Sequence, residues 1–300
     1  MKKHFIVSVI LTLIFLVTGC SQPQQPGSSL VLPDSRGVEI TFDKIPESVV
    51  SLAPANTEIL YALNAGDKII AVSEYCNYPE EIANKTKLPT GEKLDIENLI
   101  ALKPDLVITG YMSAMEDQFR QLETAGIKVF VTEANSLSET YETIEAIGKI
   151  IGKEKEADTL IKNMKDGFDN IIKEVEGKAS PTIYVEVSPL EWGLWTCGKN
   201  TFIQELIDIV GARNIFEDVE GWAEVSEEQV ISKNPDFIVT TSSPLTGIED
   251  PIGEISSRAN WSGLDAVKNS RIMMLESDMI TRPGPRLLDA AKELTKILYD

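Results

Sequence analysis

The chain has 300 residues, of which 43% are hydrophobic, and a formal net charge of -19 at pH 7. This length and apolar content suit two domains, each with a core. The acidic balance argues against nucleic acid, whose phosphates need a basic surface, and against electrostatic adhesion to anionic lipid. The only histidine is His4, inside a segment with the pattern of an export leader, so the mature chain would have no histidine. That excludes Ser-His-Asp and Cys-His sites and haem ligation by histidine.

Residues 1–19 are predicted to be a bacterial export signal. Lys2 and Lys3 form its positive end, and the apolar run Phe5–Leu16 is too short to span a bilayer comfortably. Loss of these two lysines would lower the net charge from -19 to -21. The Leu-Val-Thr-Gly sequence before Cys20 resembles a bacterial lipobox, which implies cleavage there and lipidation of the cysteine. An ordinary secreted leader with a chance cysteine is the alternative.

Residues 20–30 are predicted to be a tether that carries the lipid. The sequence SQPQQPGSS is polar and rich in proline, glycine and glutamine, so it cannot form a core. A lipid and a flexible tether together would hold the soluble body at a membrane surface.

Residues 31–153 are predicted to form an amino-terminal α/β lobe. The stretch Val31–Phe42 alternates in hydrophobicity as a hairpin does. The stretch Ser51–Glu58 passes from a buried strand through a loop into a helix, and ligand sites of α/β proteins form at such turns. Ser136 and Glu139 are spaced as a capping box at the start of a later helix.

Residues 154–177 are predicted to be a long helix that connects two lobes. Its apolar residues recur at intervals of three, four and seven, which places one stripe on one face. Gly177 can take the left-handed cap, and the helix would span about 35 Å. The stripe consists of Ala157, Leu160, Ile161, Met164, Phe168, Ile171, Ile172 and Val175.

The segments before and after this helix repeat each other. Leu94–Thr109 and Val225–Thr240 align without a gap at a spacing of 131 residues, which pairs Glu97 with Glu228. Each segment has the pattern of a short amphipathic helix, a proline that ends it, and a buried parallel strand. Two weaker matches occur in the same order, so the predicted fold class is α/β. It has two pseudo-symmetric lobes, each a mainly parallel sheet flanked by helices, joined by one long helix.

Residues 178–300 are predicted to form the carboxy-terminal lobe. The stretch Glu191–Gly198 holds two tryptophans and two glycines and is predicted to be a loop that lines a site, and Trp222 follows later. Glu276–Arg286 is predicted to be a stiff turn before the final helix, with charged groups that suit amides or carboxylates. A loop stabilised by its own ion pair is the alternative. The charged residues to which these two interpretations apply are Asp278, Arg282 and Arg286.

One cysteine remains in each lobe, Cys76 and Cys197. Cys76 lies in the stretch Glu74–Pro79, whose two tyrosines suit stacking on a flat ligand or padding of a loop. An exported protein permits a disulfide. We nevertheless predict two free or separately buried thiols, because a bond between lobes would hinder ligand exchange.

The joint order of these motifs resembles the substrate-binding proteins of ABC importers. The chain is similar to the helical-backbone class that carries cobalamin, haem and iron-siderophores, and most similar to its cobalamin-binding branch. The likeness covers nearly all of residues 31–300. It implies two lobes joined by one rigid helix, a ligand in the cleft between them, and modest lobe movement. The motifs are the lipobox, SLAPANTE, SEYCNYP, IENLIALKPDLVI, GKNTF, VSEEQVISKNPDFIV and RPGPRL.

The resemblance also implies roles for individual residues. Glu97 and Glu228 fall where the family uses one carboxylate per lobe to dock on arginines of the dimeric permease. Two carboxylates related by pseudo-twofold symmetry suit a twofold partner, although each could be an ordinary helix-surface charge. The residues at positions that resemble corrinoid contacts are Tyr75, Trp222, Asp278 and Arg282.

Two departures from the family pattern leave the ligand open. The stretch Gly91–Lys93 lacks an aromatic residue that often occurs there, and Gly110 stands where a tryptophan can occur. Tyr111 is adjacent to that position, and Trp195 is expected to compensate from the other lobe. Both are therefore included among the predicted ligand-binding residues.

The predicted function is capture of a corrinoid, either cobalamin or cobinamide, and its delivery to an ABC permease and its ATPase. The protein is expected to be a monomer without catalytic activity, cofactor or resident metal, anchored by lipid to the outer face of the cytoplasmic membrane. The alternative is a haem or iron-siderophore binding protein of the same class. Haem is disfavoured by the absence of histidine, although Tyr75 or Tyr111 could ligate iron, and ferric siderophores often need a more basic pocket. A surface hydrolase is less favoured, because it would need two acids that converge at the cleft, whereas the repeated acids Glu97 and Glu228 are predicted on helices apart from the aromatic loops.

Overall fold

The computed structural model describes residues 29–91, 93–242 and 247–300. The predicted export signal, the predicted lipidation site Cys20 and most of the predicted tether lie outside the described residues. None of the helices in these three ranges is both long enough and apolar enough to cross a membrane.

The amino-terminal lobe contains an antiparallel hairpin and a parallel sheet. Its strands are β1 (Leu30–Pro33), β2 (Glu39–Phe42), β3 (Val49–Ser51), β4 (Ile69–Ser73), β5 (Thr86–Leu88), β6 (Leu106–Gly110) and β7 (Lys128–Thr132). Its helices are α1 (Pro54–Ala62), α2 (Ile96–Leu102), α3 (Glu116–Thr124) and α4 (Leu137–Ile151), followed by the connecting helix α5 (Glu154–Val175). Strands β1 and β2 form the predicted hairpin. The other five form a parallel sheet in the order β5-β4-β3-β6-β7.

The carboxy-terminal lobe contains a parallel sheet and a separate antiparallel ribbon. Its strands are β8 (Thr182–Glu186), β9 (Leu194–Cys197), β10 (Arg213–Asn214), β11 (Trp222–Val225), β12 (Phe237–Thr240) and β13 (Ile272–Met274). Its helices are α6 (Phe202–Ile209), α7 (Glu227–Lys233), α8 (Pro251–Ser257), α9 (Asp265–Lys268), α10 (Ser277–Thr281) and α11 (Leu287–Tyr299). The parallel sheet has the order β10-β8-β12-β13, and β9 pairs with β11.

The internal repeat predicted from the sequence is present in the sheets. The order β4-β3-β6-β7 in one lobe corresponds to β10-β8-β12-β13 in the other. The register also corresponds, because Val50 pairs with Val107 in the first sheet and Tyr184 pairs with Ile238 in the second. The predicted fold class, α/β with two pseudo-symmetric lobes, is therefore confirmed.

The aspartate that follows the proline in each repeat forms hydrogen bonds to the neighbouring strand. Asp105 Oδ2 accepts hydrogen bonds from the backbone N–H and hydroxyl of Ser48, both at 3.1 Å. Asp236 Oδ2 accepts from the same two groups of Thr182, at 2.8 and 2.7 Å. Each aspartate N–H donates in return to that hydroxyl at 2.9 Å. Each aspartate thus fixes the start of one central strand against the start of its neighbour.

We expect Asp105→Asn to destabilise the protein in a pH-dependent way. The hydrogen bond from Lys44, followed by the Glu47 N–H, lowers the pKa of Asp105 to about 2. Its folded pKa lies below the unfolded value of about 3.9, so its contribution is full above about pH 4 and is lost as the pH falls through about 2. The expected loss at neutral pH is about 1 kcal/mol, because the carboxylate is partly solvated.

Urea unfolding of wild type and Asp105→Asn at several pH values measures this effect. The difference in the free energy of unfolding should narrow as the pH falls from about 4 towards 2. Asp117→Asn is the matched control, since among the described residues this exposed aspartate pairs only with the exposed Arg120. If the difference in the free energy of unfolding between wild type and Asp105→Asn stays constant over this range, ionised Asp105 does not stabilise the fold as predicted.

The connecting helix α5 packs against both lobes. It contacts α4 on one side and α11 and α6 on the other. A β-carbon on Gly148 of α4 would lie 2.6 Å from Ala157 Cβ, and one on Gly167 of α5 would lie 2.6 Å from Leu288 Cδ1 of α11. The missing side chains therefore let both neighbours approach α5 closely.

The apolar stripe of α5 is largely buried, as predicted, with one exception. Buried members from Ala157 to Val175 belong to one hydrophobic cluster that also contains Ile144 of α4 and Leu294 of α11. Ile172 was predicted to lie on the stripe and is instead exposed. Adjacent residues of a helix point about 100° apart, and here Ile171 faces the core while Ile172 lies at the solvent side of the stripe.

The capping box predicted at Ser136 is only half formed. The Ser136 hydroxyl accepts from the Glu139 N–H at 3.1 Å, as expected. The Glu139 carboxylate accepts from the N–H of Asn135 at 2.6 Å rather than from that of Ser136. The α4 terminus is still capped, because both side chains bond to free backbone N–H groups.

Candidate functional site

The predicted ligand-binding residues follow the carboxyl ends of strands or lie on the ribbon beside them. Tyr75 follows β4, Tyr111 follows β6, and Asp278 follows β13. All strands of a parallel sheet end at the same edge, which is where open α/β sheets bind ligands. The parallel sheets therefore explain why residues far apart in sequence collect at one edge of each lobe.

Two exposed tyrosines mark this edge in the amino-terminal lobe. The Tyr75 N–H donates to Ser73 Oγ at 3.2 Å, and the side chain of Tyr75 is largely free, with 59% of the residue exposed. The Tyr111 N–H donates to Thr132 O at 2.9 Å, which continues the pairing of β6 with β7 beyond their ends. The backbones of both tyrosines are thus fixed by hydrogen bonds, and their side chains are exposed.

The two tryptophans of the carboxy-terminal lobe lie on a β-ribbon. The prediction of a loop over residues 191–198 is wrong in its second half, because β9 occupies Leu194–Cys197. Trp195 pairs with Glu224 and Trp222 with Cys197, so the two tryptophans lie diagonally on one face. Their exposed fractions are 40% and 38%.

The ribbon is held firmly against its lobe. The Phe202 and Trp222 rings meet edge to face, with centroids 5.8 Å apart. The Thr196 hydroxyl donates to Val185 O at 2.7 Å, which ties β9 to β8. At the far end of β9, a β-carbon on Gly198 would lie 2.1 Å from Val219 O, so only glycine fits there. These contacts fix the Trp222 ring and the backbone of the ribbon that carries Trp195.

The segment 276–286 was predicted to be a turn, and it contains the short helix α10. Asp278 and Arg282 lie one helical turn apart, with Arg282 Nη2 2.7 Å from Asp278 Oδ1. The segment reaches across to the other lobe. Arg282 Nη2 donates to Tyr75 O at 3.2 Å, and Asn77 Nδ2 donates to Asp278 Oδ2 at 2.6 Å. The structure thus brings together three of the predicted residues, Tyr75, Asp278 and Arg282.

Sequence reasoning missed two members of this cluster, Asn77 and Glu58. Arg282 Nη1 donates to Asn77 Oδ1 and to Glu58 Oε1, both at 2.9 Å. Both residues lie in motifs that the sequence analysis singled out, SEYCNYP and SLAPANTE. No local pattern could have paired them with an arginine more than 200 positions later in the chain.

The exposed aromatic residues of the two lobes do not meet. Among the aromatic pairs of the described residues, none joins Tyr75 or Tyr111 to Trp195 or Trp222. A cavity of about 230 Å³ lies between the turn 53–56 and the segment 281–283. Pockets for drug-sized ligands begin at about 300 Å³, so this cavity is too small to enclose a large planar ligand.

The two predicted docking glutamates occupy equivalent positions. Glu97 and Glu228 are each the second residue of a helix, after a cap by Asp95 or Ser226 that accepts from the N–H three residues on. Both are exposed, and none of the ion pairs within the described ranges involves either one. The N–H of Glu228 itself, followed by the Ser226 hydroxyl, lowers the pKa of Glu228, so it is ionised at neutral pH.

Both thiols are free and buried, as predicted. Burial raises the pKa of Cys76 and raises that of Cys197 to about 12. The two sulfurs therefore stay protonated at neutral pH and give no nucleophile. Across residues 29–91, 93–242 and 247–300, no group of three or more His, Cys, Asp or Glu residues could hold a metal ion.

Comparison with known proteins assigns the chain to a family. A sequence model of the periplasmic binding protein family matches residues 49–279, and the chain belongs to this family. It is 35% identical to the uncharacterised ABC transporter substrate-binding lipoprotein YvrC of Bacillus subtilis (strain 168), over 99% of this chain and 98% of YvrC. The chain is therefore one of the extracytoplasmic substrate-binding proteins of ABC transporters, a transport family rather than an enzyme family.

Two solved structures are similar to the chain and differ in ligand. One is the periplasmic vitamin B12-binding protein BtuF of Vibrio cholerae, with 27% identity and a TM-score of 0.69 over 85% of this chain and 97% of BtuF. The other is a possible iron-binding periplasmic solute-binding protein of Staphylococcus epidermidis ATCC 12228. It has 35% identity and a TM-score of 0.75 over 86% of this chain and all of that one. Both are substrate-binding proteins similar to this chain, so the comparison alone does not identify the ligand of this chain.

Proposed function

We propose that this protein captures a corrinoid, cobalamin or cobinamide, between its lobes and delivers it to an ABC permease dimer. It does so as a lipoprotein anchored through Cys20 to the outer face of the cytoplasmic membrane, with a signal peptide at residues 1–19. The lobes are residues 31–153 and 178–300. The observation that carries the proposal is the presence of exposed aromatic rings on both lobes beside a polar cluster.

The aromatic residues would bury the faces of the ligand. Tyr75 and Tyr111 come from one lobe, and Trp195 and Trp222 from the other. Flat apolar rings favour stacking, and exposed aromatic side chains are the commonest energetic centres of binding sites. No aromatic pair of the described residues joins the rings of one lobe to those of the other, so a planar ligand between the lobes would meet rings that are not already stacked on each other.

The polar cluster would recognise the amide rim of a corrinoid. The Asp278 carboxylate keeps lone pairs beyond its bonds to Arg282 and Asn77, so it can accept from ligand amide N–H groups. Arg282 lies beside it and orients it. A neutral rim of amides suits such a cluster, because Arg282 already neutralises Asp278.

Iron-siderophore binding is the second candidate, and the similarity to the Staphylococcus epidermidis protein favours it. An acidic siderophore would need free cationic groups. The terminal nitrogens of Arg282 are bonded to Glu58, Asn77, Tyr75 and Asp278. The available surface is therefore aromatic rather than basic, which favours the corrinoid.

We expect the purified soluble form, residues 21–300, to bind corrinoids in preference to the alternatives. Titration with cobalamin, cobinamide, haemin and ferric siderophores, followed by absorbance and heat, measures this preference. Saturation by a corrinoid at micromolar concentration, with weaker binding of haemin and siderophores, is the expected result. If no corrinoid binds at that concentration, the proposed ligand is wrong, and tight siderophore binding would establish the second candidate.

A further inference from the structure

Two sequence motifs, SLAPANTE and RPGPR, meet at a buried ion cluster. Glu58, the last residue of the first motif, lies on α1 and is 3% exposed. Its Oε1 accepts from Arg282 Nη1 at 2.9 Å and from Arg286 Nη2 at 2.8 Å. Its Oε2 accepts from Arg286 Nε at 2.8 Å, so Glu58 and Arg286 form a two-pronged pair.

The cluster joins the two lobes. The arginines lie 224 and 228 residues after Glu58, on the segment between α10 and α11. The Arg286 guanidinium also lies 4.4 Å from the ring centroid of Tyr78, on the amino-terminal lobe. Pro283 and Pro285 stiffen the backbone between the arginines. A single carboxylate of one lobe therefore holds both ends of a stiff segment of the other.

The same cluster reaches the ligand-facing groups through Arg282. Each terminal nitrogen of Arg282 has two N–H groups. Nη1 donates to Glu58 and Asn77, and Nη2 donates to Tyr75 O and faces Asp278 Oδ1. All four terminal N–H groups thus have protein acceptors. Arg282 acts on a ligand through Tyr75 and Asp278, which it holds from opposite lobes.

We propose that Glu58 is a positioning residue for ligand binding. By holding Arg282 and Arg286, it sets the separation and orientation of Tyr75 and Asp278 across the cleft. This inference rests on the proposed function, because Tyr75 and Asp278 are taken there as ligand contacts. Removal of the Glu58 charge would leave two partly buried arginines without their central partner, which releases the segment that carries Asp278.

Glu58→Gln keeps the shape of the side chain and removes its charge. Glu276→Gln is the matched control, because Glu276 is an exposed partner of Arg286 at 2.9 Å and does not touch Arg282. The first readout is backbone hydrogen exchange of the ligand-free mature protein over residues 74–78 and 277–283. The second is the affinity for cyanocobalamin and dicyanocobinamide, measured well below the unfolding temperature of each variant.

We expect faster exchange in both segments of Glu58→Gln and corrinoid affinity weakened at least about tenfold. Glu276→Gln should match wild type in exchange and stay within about twofold in affinity. Should Glu58→Gln not fold, Arg286→Lys, which keeps the charge but loses the two-pronged pair, should show the same changes to a lesser degree.

Two results would overturn the inference. Hydrogen exchange as slow as in wild type in Glu58→Gln, or in Arg286→Lys if Glu58→Gln does not fold, would show that Glu58 does not fix residues 74–78 and 277–283. Faster exchange with unchanged corrinoid affinity would reduce Glu58 to a purely structural role. Failure of wild type to bind any corrinoid would instead refute the proposed ligand, and the exchange data would still decide whether Glu58 joins the lobes.

Discussion

Replacement of both Trp195 and Trp222 by alanine should weaken corrinoid binding by at least about hundredfold. The two side chains share one face of the ribbon β9–β11 and present exposed rings. Truncation of an aromatic residue at the centre of a binding site typically removes about 2 kcal/mol or more. Two such losses sum to about 4 kcal/mol, which still exceeds hundredfold when they are only partly additive, since about 2.7 kcal/mol suffices.

Calorimetric titration of the double variant with cobalamin and cobinamide measures this loss. Trp222→Ala also removes an edge-to-face contact with Phe202, so a lower unfolding temperature is expected, and circular dichroism must confirm the fold. Ile172→Ala is the control, because Ile172 is exposed on α5. Binding by the folded double variant within about threefold of wild type would exclude the ribbon from the ligand site.

Replacement of both Glu97 and Glu228 by alanine should abolish transport while ligand binding stays normal. Each glutamate is the second residue of a helix in one repeat, and both are exposed. Each helix runs back from the carboxyl edge towards the start of the next strand, so its first turn lies at the cleft end of its lobe. Loss of both carboxylates should reduce ligand uptake by cells to below about a tenth of the wild-type uptake, because the arginines of the permease would lose their charged partners.

Uptake of labelled cobalamin and calorimetric titration of the purified variant together test the docking role. Asp117→Ala is the control, because it removes an exposed carboxylate from the first turn of α3, outside the repeat. Each variant must remain in the membrane fraction, as a lipoprotein anchored at Cys20 should. Weakened ligand binding, or normal uptake, by the double variant would contradict docking through Glu97 and Glu228.

The sequence predicted the lobes well because their signals are local. The caps Asp95 and Ser226, the prolines that follow each short helix, and the apolar strands all act within a few residues. Helices α2 and α7 and strands β6 and β12 lie where the repeat predicts them. The division of the chain at residues 153 and 178 stays a prediction.

The site was predicted less completely because its geometry depends on distant parts of the chain. Leu194–Cys197 becomes a strand only because β11, about 25 residues later, pairs with it. The partners of Arg282 lie on the other lobe, and neither Glu58 nor Asn77 carries any local signal of that pairing. The contact roles assigned to Tyr111, Trp195 and the other site residues stay predictions until a ligand is tested.

The packing of α5 changes how the boundary between the lobes should be understood. One continuous apolar cluster runs from Ile144 of α4 through Met164 of α5 to Leu294 of α11. Each lobe also has an apolar cluster of its own, but the cluster along α5 is shared by both, so a chain cut at either end of α5 would expose the stripe to water. The repeat divides the sequence into two similar units, whereas the shared cluster makes α5 part of the packing of both lobes.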